Sequence, residues 1–416
     1  MESSLIIDSY GDIYNFKLTT SGLELIVLEK STGQSKEPII IVEDILEYDV
    51  SINEKDEIDI FCKMKDSSLS IYSLNDSEWK ESEISSGTDQ NVCGLKIITV
   101  EETRHIFYYM ESLKNNRALN IYHHYMEDGK WNTNMVKEIY KSEIIKPIEI
   151  IKNEENIIIG YYDLGRYSED IFIKRFDITS KEWLESFNIT HDDKLKLYLD
   201  VLEIDDHLHI TYSEYEDENL IIKHKIVKIE EEVIENVLSN QTNCTYPTLI
   251  YSEGTLWNVW TEYESVASAY SKDNGQSWSN PYVWSESKKS DFNRCKFITT
   301  DDKLKINYIM NYTFSKIYPK LSFLGFGNLD GAVESVKKKE ENDDQIIELQ
   351  REIDEMTFEH GIKIRQLERE IEDMKIDISN IGSSGKSIDM SNLEKRVSNI
   401  ENHINIRRRN PFAPKA

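Results

Sequence analysis

Tryptophan recurs in this chain at a fixed interval: Trp79, Trp131 and Trp183 lie 52 residues apart, and Trp278 closes the series. Each follows a short polar run: Asn75-Asp76-Ser77-Glu78, Glu127-Asp128-Gly129-Lys130, Thr179-Ser180-Lys181-Glu182 and Asp273-Asn274-Gly275-Gln276-Ser277. These runs have the composition of hairpin turns. A second series runs in the same phase through Cys62, Tyr109, Tyr161, Tyr212, Trp260 and Tyr308, at intervals of 47, 52, 51, 48 and 48 residues. Around these markers apolar residues alternate, as in Leu208, Ile210, Tyr212 and in Leu304, Ile306, Tyr308. That is the period of two that places alternate side chains on one face of a β-strand.

A repeat of about 45 to 50 residues with several short strands and a turn per hairpin predicts an all-β head, folded as a β-propeller rather than a helical solenoid. Strands over 5–8, 12–18 and 23–28 read as a first blade, and 296–299, 304–310 and 321–326 as a last one. The count is then seven blades, with six as the alternative. Closure without a long bare edge requires the two terminal segments of the head to meet side by side. The recurring aromatics become blade-to-blade packing, each burying about 150 to 250 Å².

The head spans 1–328 and is followed by a charged linker, 329–344. Beyond it, Ile346, Leu349, Ile353, Met356, His360, Ile364, Leu367, Ile371, Met374, Ile378 and Ile381 form an apolar seam, which predicts an α-helical coiled coil over 345–381. Two consecutive steps of four around His360 should locally unwind the supercoil. The seam predicts a homo-oligomer, dimer or trimer. A Gly/Ser linker over 382–390 precedes a second amphipathic helix, 391–407, opened by the capping box Ser391 and Glu394. The chain ends in a basic, proline-containing tip, 408–416, that begins within Arg407-Arg408-Arg409.

Charge narrows the partners. The net charge is −28; residues 331–416 hold 18 acidic and 15 basic groups, leaving 59 and 34 before them, so residues 1–330 carry −25, nearly all of it on the head. Such a surface repels nucleic acid and anionic bilayers. The first residues carry no basic segment followed by an apolar one, which predicts cytoplasmic synthesis without a signal peptide; assembly onto a surface or particle remains open. The four cysteines, Cys62, Cys93, Cys244 and Cys295, show no metal or redox spacing, and disulfides are not expected.

One turn carries a family resemblance. Ser271-Lys272-Asp273-Asn274-Gly275-Gln276-Ser277-Trp278 fits S-x-D-x-G-x-x-W at every fixed position and resembles the Asp box of bacterial neuraminidase repeats. The resemblance implies a sialidase-like propeller in which Ser271, Asp273, Gly275 and Trp278 are structural and lie on the face opposite the active site. Sialidases use three convergent arginines, a tyrosine nucleophile paired with a glutamate, and an aspartate acid/base. The head offers Arg104, Arg117, Arg166, Arg175 and Arg294 and lacks the arginine-isoleucine-proline motif, so no catalytic residue is assigned.

In that topology the ligand meets the loops after each second strand. There Glu111, Asp163, Glu214 and Glu262 each follow Tyr109, Tyr161, Tyr212 and Trp260 by two residues. Carboxylates beside aromatic faces suit sugars, and also cations. The expected function is a non-catalytic binding or structural head, for a glycan or protein ligand, displayed on an oligomerising stalk. The alternatives are a glycoside hydrolase or degenerate sialidase, and a purely structural assembly subunit. No cofactor is expected, a divalent cation being the one that these carboxylates could take.

Overall fold

Alternation of apolar and polar residues carries nearly the whole head into antiparallel strands, which bury one face against each neighbouring sheet. The computed structural model describes residues 3–335 except 76–77, 88–90, 114, 116–117, 128, 141–147, 165–168, 193, 217, 228–233, 290–291 and 318–319. The expected coiled coil, second helix and basic tip lie outside the described residues, as do Arg117 and Arg166. The chain divides into one unit ending at Ser335 and another beginning at Val336.

The described strands form six sheets. Sheet two is built from Ile45–Ile52, Ile58–Met64, Leu69–Asn75 and Glu78–Ser85, in order from inner to outer edge. Sheet three repeats this with Val92–Val100, Thr103–Glu111, Ala118–Glu127 and Lys130–Tyr140. Sheet four runs Ile148–Lys152, Asn156–Leu164 and Glu169–Asp177, with Glu182–Trp183 and Phe187–Asn188 sharing its outer edge. Sheet five runs Lys196–Ile204, His207–Glu216, Asn219–Val227 and Ile234–Val237, and sheet six begins Cys244–Ser252, Thr255–Glu262, Ser265–Ser271 and Tyr282–Trp284. Each inner strand touches the next, from Ile45–Ile52 round to Cys244–Ser252. The head is a β-propeller.

Sheet one closes the ring. Ser3–Ile7 pairs antiparallel with Ile13–Thr19, which pairs with Gly22–Glu29; on its other side it pairs in parallel with Asn293–Thr299, Ser4 opposite Lys296. Both strands touch Ile45–Ile52 of sheet two. The terminal segments of the head therefore meet side by side, which satisfies backbone groups that would otherwise lie on an open edge.

The expected last strand group is different in detail. Residues 304–307, read as strand, belong to a short helix, Asp302–Asn307. Its cap explains this: the Asp301 carboxylate accepts from the N–H groups of Lys303 and Leu304 at 2.9 and 3.1 Å, so local capping outweighs the alternating pattern. Of 304–310, Tyr308–Met310 alone is strand, and it joins the inner edge of sheet six. Tyr312–Lys316 and Ser322–Leu324 continue sheet one beyond Asn293–Thr299. Ala332–Glu334 pairs with Tyr282–Trp284, so the head extends into 329–344, where a charged linker was expected.

The tryptophan series packs each sheet against the one before it. Trp79 meets Phe16 edge-on at 6.4 Å, Trp183 meets His123 at 5.5 Å, and Trp278 meets His224 at 4.9 Å between ring centroids. Trp131 packs on the cluster of Phe61, Leu69 and Ile71 in sheet two. Four of the second-strand markers, Cys62, Tyr161, Tyr212 and Trp260, are completely buried between sheets.

Candidate functional site

The residues expected to ring the mouth fall at one end of their strands. Glu214 faces Lys196 and Glu262 faces Cys244 across the first two strands of their sheets. Their carboxylates are engaged close by. Glu214 is wholly buried, with the Lys223 ammonium at 2.7 Å and that of Lys194 at 3.4 Å. Glu262 accepts from the Trp260 indole at 3.4 Å. Asp163 accepts from the Tyr140 N–H at 3.1 Å, and burial raises its carboxyl above the ordinary range. Glu111 is exposed, and Tyr109 is partly buried beside Gly94. Among the described residues no group of three or more His, Cys, Asp or Glu is placed to hold a metal ion.

A different set of side chains meets at the centre. Asp49, Lys96, Glu149, Asp200, Thr248 and Lys296 occupy corresponding positions on six successive inner strands. Asp49 accepts from the Ile97 N–H and Asp200 from the Leu249 N–H, both at 2.8 Å, so each carboxylate clips its sheet to the next. The Lys296 ammonium binds both oxygens of Asp49, at 2.8 and 2.7 Å. Lys96 lies 3.2 Å from Glu149, and the Tyr312 hydroxyl sits between them, 2.8 Å from each. The Arg294 guanidinium covers the Tyr312 ring at 3.7 Å and donates to Thr248 at 2.7 Å.

Burial governs this cluster. It opposes the charge on Lys96, but the Glu149 carboxylate, the Tyr312 hydroxyl and Asp49 together outweigh it and hold the lysine above its usual range. Burial also opposes charge on Glu149, and Lys96, the Tyr312 hydroxyl and Arg294 together reverse that. Lys296 is lowered, burial exceeding the help of Asp49. Asp200 is pushed up to about 7 by burial, against the pull of Arg294. Tyr312 is raised by burial, and its hydroxyl already has Lys96 as donor and Glu149 as acceptor.

At the mouth, just before the central positions, the inner strands of sheets three, five and six share a bulge, between Cys93 and Lys96, Leu197 and Asp200, and Thr245 and Thr248. The residue two before the central one has left-handed backbone in each: Gly94 at φ 67°, Tyr198 at 58° and Tyr246 at 53°. Glycine suits that conformation, and at position 94 a Cβ would lie 2.0 Å from the Tyr109 ring. Tyrosine does not suit it, and bulky residues there are strained. The Tyr198 and Tyr246 rings nonetheless pair with centroids 4.4 Å apart and planes tilted 44°. Tyr246 is 48% exposed. The sequence held one signal for this pair: Pro247, inside an inner strand, where proline marks a bulge.

The S-x-D-x-G-x-x-W turn lies at the other end of sheet six. Asp273 accepts from the Ser277 N–H at 2.9 Å and from the Ser271 and Ser277 hydroxyls at 2.7 and 2.5 Å. The Ser277 bonds lead in holding its carboxyl down to about 2. Gly275 takes φ 83°, and the Trp278 indole donates to its carbonyl at 3.1 Å. The described arginines are apart in function: Arg104 forks onto Asp59 at 2.6 and 2.9 Å, Arg175 lies on the third strand of sheet four, and Arg294 belongs to the central cluster.

No protein-family model matches the chain, and no curated protein matches it. Among solved structures it is similar to an ulvan lyase of polysaccharide lyase family PL25, at 10% identity and a TM-score of 0.50, over 76% of this chain and 90% of that one. It is also similar to polysaccharide lyase Uly1, at 11% identity and a TM-score of 0.50, over 78% and 90%. A prolyl endopeptidase matches at 10% identity and a TM-score of 0.46 over 68% of this chain, which spans only 41% of that longer protein. At such identities the likeness is one of fold.

Proposed function

We propose that the head is a six-bladed, non-catalytic glycan-binding propeller, displayed as an oligomer by the tail beyond it. The observation that carries the reading is the tyrosine pair Tyr198–Tyr246, two aromatic rings held together on strained bulges at the mouth, one of them half exposed. Strain that persists in a packed sheet is characteristic of ligand sites, and tyrosine faces stack on the C–H patches of sugars. Six successive inner strands contribute one central residue each, and both terminal segments share sheet one, which supports six blades over seven. The polysaccharide substrates of the two lyases agree with a glycan ligand for this fold. The charge of −25 on residues 1–330 favours neutral over acidic glycans.

The non-catalytic part rests on the centre, where two of the three carboxylates are already engaged, Asp49 by Lys296 and Glu149 by Lys96 and the Tyr312 hydroxyl. One arrangement favours the hydrolase alternative. Tyr312 donates to Glu149 beneath Arg294, the residue types a sialidase pairs for nucleophilic attack. A neutral-glycan array probed with wild type, Tyr246→Ala and Tyr312→Phe separates the two. The binding reading expects ligand lost in Tyr246→Ala and kept in Tyr312→Phe, with no turnover of chromogenic glycosides by wild type. Turnover abolished by Tyr312→Phe would establish the hydrolase instead.

A further inference from the structure

Sheets two and three do not close fully on each other. Between them lies a cavity of about 220 Å³, walled by Leu69 and Ile84 of sheet two and by Met110, Trp131, Tyr108 and His124 of sheet three. At about 30 Å³ per water this is room for roughly seven waters, or one six-membered ring with a substituent, and it is smaller than the sites of drug-sized ligands. The packing around it explains the space. Phe61 is the one fully buried aromatic of this interface, while Tyr108 and Trp131 are only partly buried against it.

Ser67 and Ser85 also line it from sheet two, and sheet three contributes a connected chain of polar groups. Thr133 Oγ1 lies 2.8 Å from His124 Nδ1, and His124 Nε2 lies 2.8 Å from the Tyr108 hydroxyl. The Tyr108 and His124 rings stack at 5.1 Å, which fixes the hydroxyl's place. Burial lowers the imidazole's affinity for a second proton, so one ring nitrogen donates and the other accepts. In either tautomer the Tyr108 hydroxyl uses only one of its roles on His124. Its hydrogen or its lone pairs remain for a ligand.

We propose that this inter-sheet cavity is a second binding site, specific for a small ring compound with an apolar body and one hydroxyl, of the phenol class. A sugar fits less well, because beyond Ser67, Ser85 and Tyr108 its remaining hydroxyls would face Leu69, Ile84, Val92, Ile106 and Met110 and lose their hydrogen bonds on entry. A hydrocarbon ring fills the space but leaves the hydroxyl of Tyr108 unanswered. A phenol answers both.

Isothermal titration of the full chain with p-cresol and with toluene tests the site. One p-cresol per chain should bind, with a Kd on the order of 1 mM, ordinary for a ligand of that size. Tyr108→Phe should weaken p-cresol by roughly fivefold, the worth of one hydrogen bond, and leave toluene within about twofold. Ile84→Trp should fill the cavity and abolish both, with glycan binding at the mouth unchanged. Should Ile84→Trp fail to fold, Leu69→Phe serves the same purpose, and Tyr108→Phe decides independently. The proposal falls if p-cresol does not bind, if Tyr108→Phe weakens both compounds equally, or if a folded cavity-filling variant still binds p-cresol. Because the glycan reading depends on Tyr246, its failure and this one are read from different variants.

Discussion

Replacing Tyr246 by glycine and, separately, by alanine divides the role of its ring from the cost of its backbone. Both changes remove the ring, and with it stacking on Tyr198 worth about 0.5 to 1.5 kcal/mol. They differ in what remains at φ 53°. Alanine keeps a Cβ in the left-handed region, at a cost of about 1 to 2 kcal/mol, which glycine avoids. Glycine loses about 0.4 to 1 kcal/mol through the greater freedom of its unfolded chain. The balance favours Tyr246→Gly over Tyr246→Ala by about 0.5 to 1 kcal/mol, the reverse of the ordinary order in a strand.

Urea unfolding of the three proteins measures the difference, and glycan affinity is followed in parallel. Both variants should lose binding equally, although one is the more stable. An alanine variant as stable as the glycine one would show that the bulge is not strained, and would remove the main support for a site there. A glycine variant that still bound glycan would show that the ring is not the contact.

The buried histidine pairs make the head sensitive to acid. His105 and His123 lie 2.9 Å apart and His209 and His224 3.1 Å apart, with His105 and His209 each held down to about 4, chiefly by burial. Their folded values lie below 6.5, so the stability they confer is complete above that pH and is lost as pH falls toward 4; at pH 5 the proton that His105 or His209 takes up on unfolding costs about 2 kcal/mol each. A urea midpoint unchanged between pH 7.5 and 5 would contradict this. Trp278→Ala should lower stability by about 3 kcal/mol through lost packing on His224, and Asp273→Ala by about 1 to 2 through lost turn hydrogen bonds, both read by thermal melting with glycan binding retained. A chain ending at Ser335 should be a folded monomer by light scattering and the full chain an oligomer, with an oligomeric head counting against the stalk.

What could be read from the sequence depended on whether a feature repeats. The tryptophans share one environment, the face of the preceding sheet, so they recur at one spacing and reveal the blade period. The meeting of the terminal segments followed from the need to cover an edge. Residues 304–307 escaped because their alternation is strand-like while the deciding group, the Asp301 carboxylate, lies just outside it. Glu214 escaped as a buried, lysine-paired group because its partners come from elsewhere, Lys194 from the bend before the inner strand and Lys223 from the third strand, and have no fixed spacing from it. The central residues escaped for a further reason. Aspartate, lysine, glutamate, threonine and tyrosine share no side-chain pattern, and only the closed ring brings them together.

That centre explains why function should lie elsewhere on the head. Three cations, Lys96, Arg294 and Lys296, meet three carboxyl groups, Asp49, Glu149 and Asp200, so charge can be buried with little net excess. The segment from Asn293 to Lys316 supplies the joining groups. Lys296 reaches Asp49 of sheet two; Tyr312 reaches Lys96 of sheet three and Glu149 of sheet four. Asn311 donates to the Val201 carbonyl of sheet five at 2.8 Å, and Arg294 reaches Thr248 of sheet six. One stretch of chain thus ties five other sheets together at the axis. A ligand entering here would have to displace bonds that hold the ring closed, at a cost of several kcal/mol for each buried pair left unmatched. The mouth and the gap between sheets two and three carry no such duty, and both offer aromatic rings that the fold has left unburied.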